Sequence, residues 1–411
     1  MAIKLIKIRQ KFNDAHISDI MAHVKQEILA HAILIRPGAT IAIATGSRGI
    51  CDIPKILKAT IDTILELGAK PFIVPAMGSH GGATAAGQIE ILKELGITEE
   101  SMGVPIRSSM EVVEISSSLK NKIFMDKLSY ESDGVIIVNR IKPHTDFHGQ
   151  YESGIIKMMA IGLGKHKGAE ELHRFGIEGL AALMPKTAEA IINTKKIIMG
   201  LAIVENQLDH PVIIRAIAAK DLMQEEPKLL QAAFSFMPSL PVKNLDLLIV
   251  KELGKNISGT GMDPNIIGRL MIRGAPEPTT PNINKIVVTD ITAASHGNAI
   301  GIGLADVITR NLFNKINFQA MYANVKTSLF YDRVKIPLIE ENDQQAVDVA
   351  MAACGPRSAD EWRILYIKNS LQIFEMYASL AIVKELAGKI ELIDGGTPCE
   401  IFENDGQLIS I

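Results

Sequence analysis

Short apolar runs alternate with stretches of helical periodicity along the first part of the chain. Residues 40–44 and 71–75 are apolar runs typical of buried strands. The residues after each run, 53–67 and 84–95, have the apolar spacing of amphipathic helices. This strand–helix order is typical of a parallel sheet whose faces are both covered. The pattern therefore predicts an α/β fold.

The same organisation continues over most of the chain. Residues 133–138 and 196–205 predict two further strands, and residues 245–250 and 285–290 predict strands of a second sheet. A proline-bearing segment at 236–242 separates the two groups. A chain of 411 residues is also long for a single hydrophobic core. We therefore predict two α/β domains with mainly parallel sheets flanked by helices and an active site in the crevice between them.

The proline-bearing segment sets the expected domain boundary. We expect a cofactor-binding domain at 1–240 and a second α/β domain at 241–395, and a short final strand within 396–411 is expected to return to the first domain. In the second domain, the apolar spacing predicts helices at 301–312 and 371–389.

Composition narrows the classes of function. The formal net charge is −3 and the lysines and arginines are dispersed, which argues against a nucleic-acid partner. No stretch reaches 18 apolar residues, which argues against a membrane segment. Cys51, Cys354 and Cys399 are isolated and predict reduced thiols. We expect a cytoplasmic protein that acts on a small molecule, and the pattern leaves the oligomeric state open.

Histidines are concentrated in one part of the chain. Five of the ten fall between positions 80 and 173, and they are His80, His144, His148, His166 and His173. Histidine is suited both to proton transfer near neutral pH and to binding metals such as zinc and nickel. Because most of these residues follow predicted buried strands on glycine-rich loops, they predict a functional site.

Two glycine-bearing turns precede predicted helices. Gly46, Ser47 and Arg48 belong to the first turn, and residues 78–82 form the second. Backbone N–H groups at a helix start favour an anion, and a guanidinium adds bidentate contacts to a phosphate or carboxylate. Such turns are also common as plain connections, so both interpretations stay open at this point.

A zinc site has no local support in the sequence. No HExxH motif and no CxxC pair is present. A zinc hydrolase would need three histidine or carboxylate ligands that converge only in the fold, and it stays an alternative. A metal with a single protein ligand would instead need most of its ligands from a bound cofactor.

Several motifs together resemble the nickel-dependent lactate racemase family. They are GSRG at 46–49, GSHGG at 78–82, RIKPH at 140–144, SGIIK at 153–157, and the spacing from Lys157 to His173. The resemblance implies an isomerase that racemises or epimerises a 2-hydroxy acid by hydride transfer. It also implies a nickel-pincer nucleotide, pyridinium-3,5-bisthiocarboxylic acid mononucleotide with Ni(II), which dedicated biosynthetic enzymes supply.

The resemblance also implies roles for individual residues. Lys157 matches the lysine that attaches the cofactor, His173 the nickel ligand, and His80 and His144 the acid/base pair. His148 lies inside a longer spacing than the family has, so the second acid/base is His144 or His148. Arg48 matches an arginine of the first nucleotide-contacting loop, and Gly46 and Ser47 of the same loop are expected cofactor contacts.

A basic cluster, 165–167, lies between two glycines and is suited to a cofactor phosphate or a substrate acid group. Lys165 and His166 are therefore expected as further cofactor contacts, with a solvated loop as the alternative.

The second domain lacks a clear match to the family's contacts with the lactate carboxylate. Ser295, His296 and Asn298 follow a predicted strand and are the candidate substrate contacts, with a plain polar turn as the alternative. We therefore expect a substrate other than lactate, such as a sugar acid or a dicarboxylate. A protein that only binds or matures the nickel nucleotide is a further alternative.

Overall fold

The computed structural model describes residues 3–47 and 49–411. The chain forms two compact units, one made by Asn13–Met237 and the other by residues 3–12 together with Pro238–Ile411. Each unit contains a mainly parallel sheet flanked by helices, which confirms the predicted α/β class. No helix in the described ranges is both long enough and apolar enough to span a membrane.

The strands are numbered in chain order: β1 (Lys4–Gln10), β2 (Thr40–Thr45), β3 (Lys70–Pro75), β4 (Val112–Ile115), β5 (Ile123–Asp126), β6 (Gly134–Arg140), β7 (Ile197–Glu205), β8 (Pro211–Ala218), β9 (Asn244–Leu253), β10 (Asn282–Ile291), β11 (Val307–Thr309), β12 (Leu338–Glu340), β13 (Ile364–Ile367), β14 (Glu375–Ala378), β15 (Ile390–Leu392) and β16 (Cys399–Glu400).

The α-helices are likewise numbered in chain order: α1 (Ile20–Leu29), α2 (Ile53–Glu66), α3 (Ala85–Glu94), α4 (Glu99–Met102), α5 (Lys127–Glu131), α6 (Ile155–Lys157), α7 (Lys165–His173), α8 (Gly176–Glu178), α9 (Met184–Asn193), α10 (Leu222–Phe236), α11 (Pro264–Ile267), α12 (Arg310–Asn314), α13 (Phe318–Ser328), α14 (Asp343–Ala352) and α15 (Leu380–Glu385). A π-helical turn, Met158–Gly162, directly follows α6.

The sheet of the unit Asn13–Met237 has the strand order β3-β2-β6-β7-β8. The first four strands are parallel, and β8 is antiparallel to β7. In register, Thr45 lies opposite both Pro75 and Val138. The loops that follow β2, β3 and β6 therefore leave the sheet at the same edge, which is where ligands bind in open α/β sheets.

Strand β2 shows why the apolar runs become central strands. Successive side chains of a strand point to opposite faces of the sheet. Ala42 and Ala44 pack into the hydrophobic core on one face, while Ile41 and Ile43 pack into the core on the other. A strand buried on both faces is apolar at every position, and this makes it visible in the sequence.

The exposed edge of β8 is covered by side chains from α1 and the turn after it. His23 Nε2 lies 2.9 Å from the Ile214 carbonyl, and His31 Nε2 lies 3.0 Å from the Ala216 carbonyl. Between them, the Glu27 carboxylate accepts the Ala216 N–H at 2.9 Å. These side chains satisfy backbone groups that an edge strand otherwise leaves unpaired.

The second unit contains a larger sheet with the order β12-β11-β10-β9-β13-β14-β1-β15, and β16 also pairs with β1. Strands β9 to β13 are parallel to one another, whereas β14, β1, β15 and β16 pair antiparallel. The core on one face of this sheet includes Leu247, Val287 and Trp362.

The N-terminal strand differs from its expected place. Residues 3–12 were expected in the first domain, but β1 pairs with β14 and β15 of the unit that contains Pro238–Ile411. The C-terminal strand β16 also pairs with β1, so 396–411 stays in this unit and does not return to Asn13–Met237. Pairing between positions so distant along the chain leaves no local periodicity to detect.

Two predicted helices are wrong. In 301–312 the chain forms β11 and the short α12, and in 371–389 it forms β14 and α15. Gly301 has a φ of +91°, and a β-carbon there would lie 1.7 Å from the Thr260 carbonyl oxygen. This left-handed residue in close contact with another backbone segment prevents a helix from starting at 301.

Candidate functional site

The loop after β2 packs against the segment that carries Lys157. A β-carbon on Gly46 would lie 2.9 Å from Met158 Cε, so the loop backbone passes close to the Met158 side chain. At the end of β6, Asn139 Nδ2 donates to the Gly154 carbonyl at 2.8 Å. These contacts place the end of β6 at the start of the Lys157 helix, α6, and the loop after β2 at its end.

The loop after β3, which carries His80, packs on the same segment. The Gly78 N–H donates to the Gly162 carbonyl at 3.2 Å. The His80 side chain is exposed, and its Nδ1 forms a short hydrogen bond with the Ser47 hydroxyl. Because a hydroxyl can donate or accept, Ser47 is compatible with either neutral tautomer of His80.

A buried carboxylate organises the loop after β6. Glu152 is 1% exposed and accepts the His144 N–H at 2.6 Å and the Gly149 N–H at 3.1 Å. The His148 Nδ1 lies 3.2 Å from the same carboxylate, and the His148 ring packs near that of Phe234. Glu152 therefore fixes the backbone at His144 and turns the His148 ring toward itself.

The His144 ring has a defined hydrogen-bonding state. Its Nδ1 accepts the Asp146 N–H at 3.0 Å, and the Asp146 carboxylate lies 4.0 Å from the same nitrogen. A backbone N–H can only donate, so the neutral ring must carry its proton on Nε2. His144 in this state offers a hydrogen-bond donor to a ligand.

The end of α7 places His173 near Lys157 and Asp146. Desolvation by the surrounding protein and the nearby Lys157 ammonium lower the pKa of His173, and the negative charge of Asp146 opposes them. The His173 side chain still reaches solvent. The imidazole is thus favoured in its neutral form, which is the form that binds metals. The sequence did not single out Asp146.

Helix α6, which ends at Lys157, begins at a fully buried carboxyl group. The Glu226 Oε2 accepts the Ile156 N–H at 3.0 Å, and Glu226 is 1% exposed. Burial raises the pKa of Glu226 from 4.5 to about 7, although hydrogen bonds from the Ile156 and Ile155 N–H groups oppose this. A β-carbon on Gly154 would lie 2.3 Å from Glu226 Oε1, so any larger residue there would displace the Glu226 carboxyl group.

The residues of the basic cluster at 165–167 lie in different surroundings in the structure. Lys165 is fully buried, and its ammonium donates to the Pro75 carbonyl and to Gln88 Oε1. His166 is exposed and lies 4.0 Å from Glu170. The expected contact of Lys165 with a phosphate does not fit this enclosure, because protein groups already surround the ammonium. Arg48 lies outside the described residues.

A third buried carboxylate, that of Glu205, holds the loop that contains Gly46 and Ser47. Glu205, at the end of β7, accepts the Cys51 N–H at 2.7 Å and forms a short ion pair with Arg140 at the end of β6. The loop after β2 is thereby tied to the two strands beside it. Sequence patterns alone did not reveal Glu205, because its partners lie far away along the chain.

In the second unit, the expected substrate residues lie in a turn after β10. Ser295 is buried, and its hydroxyl accepts the Lys255 N–H at 2.8 Å. Asn298 donates to Asn324 at 3.1 Å. His296 is exposed and has a φ of +48°. Ser295 and Asn298 thus have structural partners, whereas the His296 ring faces solvent.

A cavity of about 510 Å³ lies elsewhere in the second unit. Its lining includes Arg269, Ile272, Pro281 and Asn282. Because Asn282 is the first residue of β10, the cavity is at the amino end of that strand. It therefore does not coincide with the carboxyl ends of the strands, where ligands bind in such sheets.

Metal ligands of the chain itself are sparse. Within residues 3–47 and 49–411, no group of three histidine, cysteine, aspartate or glutamate side chains is arranged to hold a metal ion. The zinc alternative requires such a group. His173 beside Lys157 is instead compatible with a metal that arrives with its other donors.

Comparisons with known proteins point to a fold. The family model "Domain of unknown function (DUF362)" matches residues 33–223. Among curated proteins there is no match. The structure of the lactate racemase apoprotein from Thermoanaerobacterium thermosaccharolyticum is similar, with a TM-score of 0.53 and 13% identity, over 90% of this chain and 99% of that one.

A crystal structure of a protein from Thermotoga maritima is similar to the same degree. Its TM-score is 0.51 at 11% identity, over 86% of this chain and 96% of that one. At these identities the similarity establishes a shared fold. The chain thus has a fold like that of lactate racemase apoprotein.

Proposed function

We propose that the protein racemises or epimerises a 2-hydroxy acid with a nickel-pincer nucleotide attached to Lys157. The observation that carries the proposal is the proximity of Lys157 to His173, whose pKa is lowered by desolvation and by the Lys157 charge. The motifs that resemble the nickel-dependent lactate racemase family support it. The fold shared with a lactate racemase apoprotein supports it as well.

The residues present fit such a cofactor. The described chain offers one amine and one neutral imidazole at this place and no three-ligand group, so a metal must bring most of its donors. His173 would be the protein ligand of a nickel ion whose other donors come with the cofactor, and Lys157 would hold the cofactor. When bound, the group would supply a hydride acceptor for the hydrogen at C2 of the substrate.

Lys157 and His173 must both be uncharged for these roles. An amine attacks a thiocarbonyl carbon only when it is neutral, and an imidazole binds a metal only through an unprotonated nitrogen. The two positive charges disfavour each other, which promotes the neutral form of at least one of them. Asp146 is the carboxylate suited to orient the His173 ring.

His80 and His144 are the proposed acid/base residues, because a two-sided reaction needs a proton carrier on each side of the substrate. Ser47 lets His80 present Nε2 either as an acceptor or as a donor. His144 presents a donor while Asp146 holds its Nδ1. His148 is directed toward Glu152, so we propose His144 over His148.

The first test is attachment of the cofactor. Protein co-expressed with the pincer biosynthetic enzymes is expected to carry the nucleotide's mass on the peptide that contains Lys157. Lys157→Ala should abolish the adduct, whereas Lys167→Ala, which removes an exposed lysine nearby, should retain it. His173→Ala should lose nickel but keep the organic adduct. Fully active protein with an unmodified Lys157 would refute the proposal.

The second part of the test addresses the reaction. Loaded protein is assayed against 2-hydroxy acids that carry deuterium at C2, beginning with sugar acids and dicarboxylates and including lactate. Deuterium retained in the epimer supports hydride transfer, whereas loss of deuterium to water indicates proton abstraction. An adduct without turnover of any acid would favour a protein that binds or matures the nucleotide.

A further inference from the structure

We infer that the buried Lys165 is a positioning residue for His80 and acts through Gln88. The inference rests on the proposed function only in regarding His80 as an acid/base residue. The Lys165 ammonium contacts Gln88, and the Gln88 amide in turn contacts the backbone of the His80 loop.

The three side chains of this network are completely enclosed. Lys165, Gln88 and Asp126 are each 0% exposed. The Lys165 ammonium lies 3.2 Å from Gln88 Oε1 and 3.5 Å from Asp126 Oδ2, and it donates to the carbonyl of Pro75, the last residue of β3. Asp126 is itself held by Ser129, whose N–H and hydroxyl both donate to Oδ1.

Burial of the charged Lys165 ammonium is energetically unfavourable. Burial lowers the pKa of Lys165, and Asp126 offsets this only in part. The residue also has a φ of +53°, in the left-handed region that disfavours a residue with a side chain. A buried charge and a strained backbone angle are kept in a fold only when the surrounding structure compensates for them, and such features are common near functional sites.

The ammonium determines the orientation of the Gln88 amide. Lys165 can only donate, so the Gln88 oxygen must face it and the Gln88 nitrogen must point the other way. That nitrogen donates to the Gly78 carbonyl at 3.0 Å and to the His80 carbonyl at 3.4 Å. Without the charge, the amide could rotate and leave both carbonyls without this donor.

The backbone that Gln88 holds places the His80 ring against Ser47. Gly81, the next residue, has a φ of +66°, and a β-carbon there would lie 2.5 Å from the Gly87 carbonyl carbon. The loop is thus packed tightly against the start of α3. A displaced His80 backbone would break the Ser47–His80 hydrogen bond and change the proton affinity of the ring.

The test follows the His80 imidazole directly in full-length protein with ¹⁵N-labelled histidine. His80→Gln identifies its signal, and the titration is followed by NMR from about pH 5 to 9, a range that spans the ordinary histidine pKa. Lys165→Met keeps the length of the side chain and removes the charge. We expect the His80 pKa to change by about 0.5 or more and the Nδ1 signal to move, since the ring loses its fixed partner.

Two further variants make the result decisive. Gln88→Leu removes the connecting amide but leaves Lys165 with Asp126 and Pro75, so it should change His80 in the same way even if Lys165→Met fails to fold. Lys196→Met is the matched control, because Lys196 also donates to a backbone carbonyl, that of Ser132. This contact lies at the amino ends of β6 and β7, away from His80. Lys196→Met should leave His80 unchanged.

A His80 signal that titrates as in wild type in folded Lys165→Met or Gln88→Leu protein overturns the inference. The measurement needs no cofactor and no substrate. Failure of the proposed racemase activity would therefore leave the His80 result standing, and a negative His80 result would leave the activity open to its own test.

Discussion

At the scale of single residues, this site depends on carboxyl groups that burial makes costly. Glu152, Glu205 and Glu226 each accept backbone N–H groups of the site loops or of α6. An apolar residue in their place would leave those N–H groups unpaired in the interior. The acidic residues thus shape the site while the histidines and Lys157 carry its proposed chemistry.

Glu226 gives a prediction about pH and stability. Its pKa is about 7 in the fold and 4.5 ordinarily, so the folded protein binds this proton more tightly than the unfolded chain. The unfolding free energy therefore falls as pH rises from 4.5 through 7, by about 3 kcal/mol. Glu226→Gln should remove this fall and be more stable than wild type above the folded-state pKa.

The measurement is denaturant unfolding at about pH 5 and about pH 8, on either side of most of this titration. Glu225→Gln is the matched control, because Glu225 is the neighbouring carboxylate on α10 and pairs with Lys228. It should keep the wild-type difference between the two pH values. If Glu226→Gln also kept that difference, burial of the Glu226 charge would not be its source.

At the scale of elements, a strand or helix could be predicted from the sequence when the features that determine it are local in the sequence, and not when a distant segment determines it. Strands such as β2 and β6 are apolar at successive positions because both faces are covered, so the sequence shows them directly. The range 301–312 fails because Gly301 meets Thr260, a contact that local periodicity does not contain. A local sequence pattern indicates which residues are buried, but it does not indicate which distant segment they contact.

The same limit applies to the site residues. The histidines stand out in the sequence because they cluster and follow strands. Lys165 and His166 are adjacent in one basic segment, yet Lys165 is enclosed and His166 is exposed. Glu226 supports the Lys157 helix from 70 positions beyond Ile156, so nothing near Lys157 indicates it.

The cover of the β8 edge gives a prediction at this scale. Glu27→Ala removes the acceptor of the Ala216 N–H and should cost about 1 kcal/mol of unfolding free energy. Hydrogen exchange at Ala216 should accelerate more than exchange along β7. Glu66→Ala, which removes only an exposed ion pair with Lys25, should change both quantities little. Equal effects of the two variants would contradict the edge-cover role.

At the scale of the whole molecule, the two units differ in how the chain builds them. Asn13–Met237 is one continuous segment, whereas the other unit joins residues 3–12 to Pro238–Ile411. Strand β1 lies between β14 and β15 in its sheet, so its removal would leave β15 without a partner and β14 paired on one side only. The stability of this unit therefore depends on a strand from the other end of the sequence.

Deletion of residues 3–12 tests this dependence. The deletion should destabilise the unit of Pro238–Ile411 and leave the sheet of Asn13–Met237 formed, which hydrogen exchange resolved by peptide would show as fast exchange in β13 and β14 with protection kept in β2 and β6. Uniform loss of protection in both units would instead indicate that the two fold as one cooperative body.

The position of β1 also has a consequence for synthesis on the ribosome. Its residues leave the ribosome before the unit Asn13–Met237, but β14 and β15 are made only after that unit. During that interval β1 must remain without its partners while the continuous unit behind it can already fold. A nascent chain stalled once residue 237 has left the ribosome should thus contain a folded α/β unit preceded by an apolar segment open to chaperones.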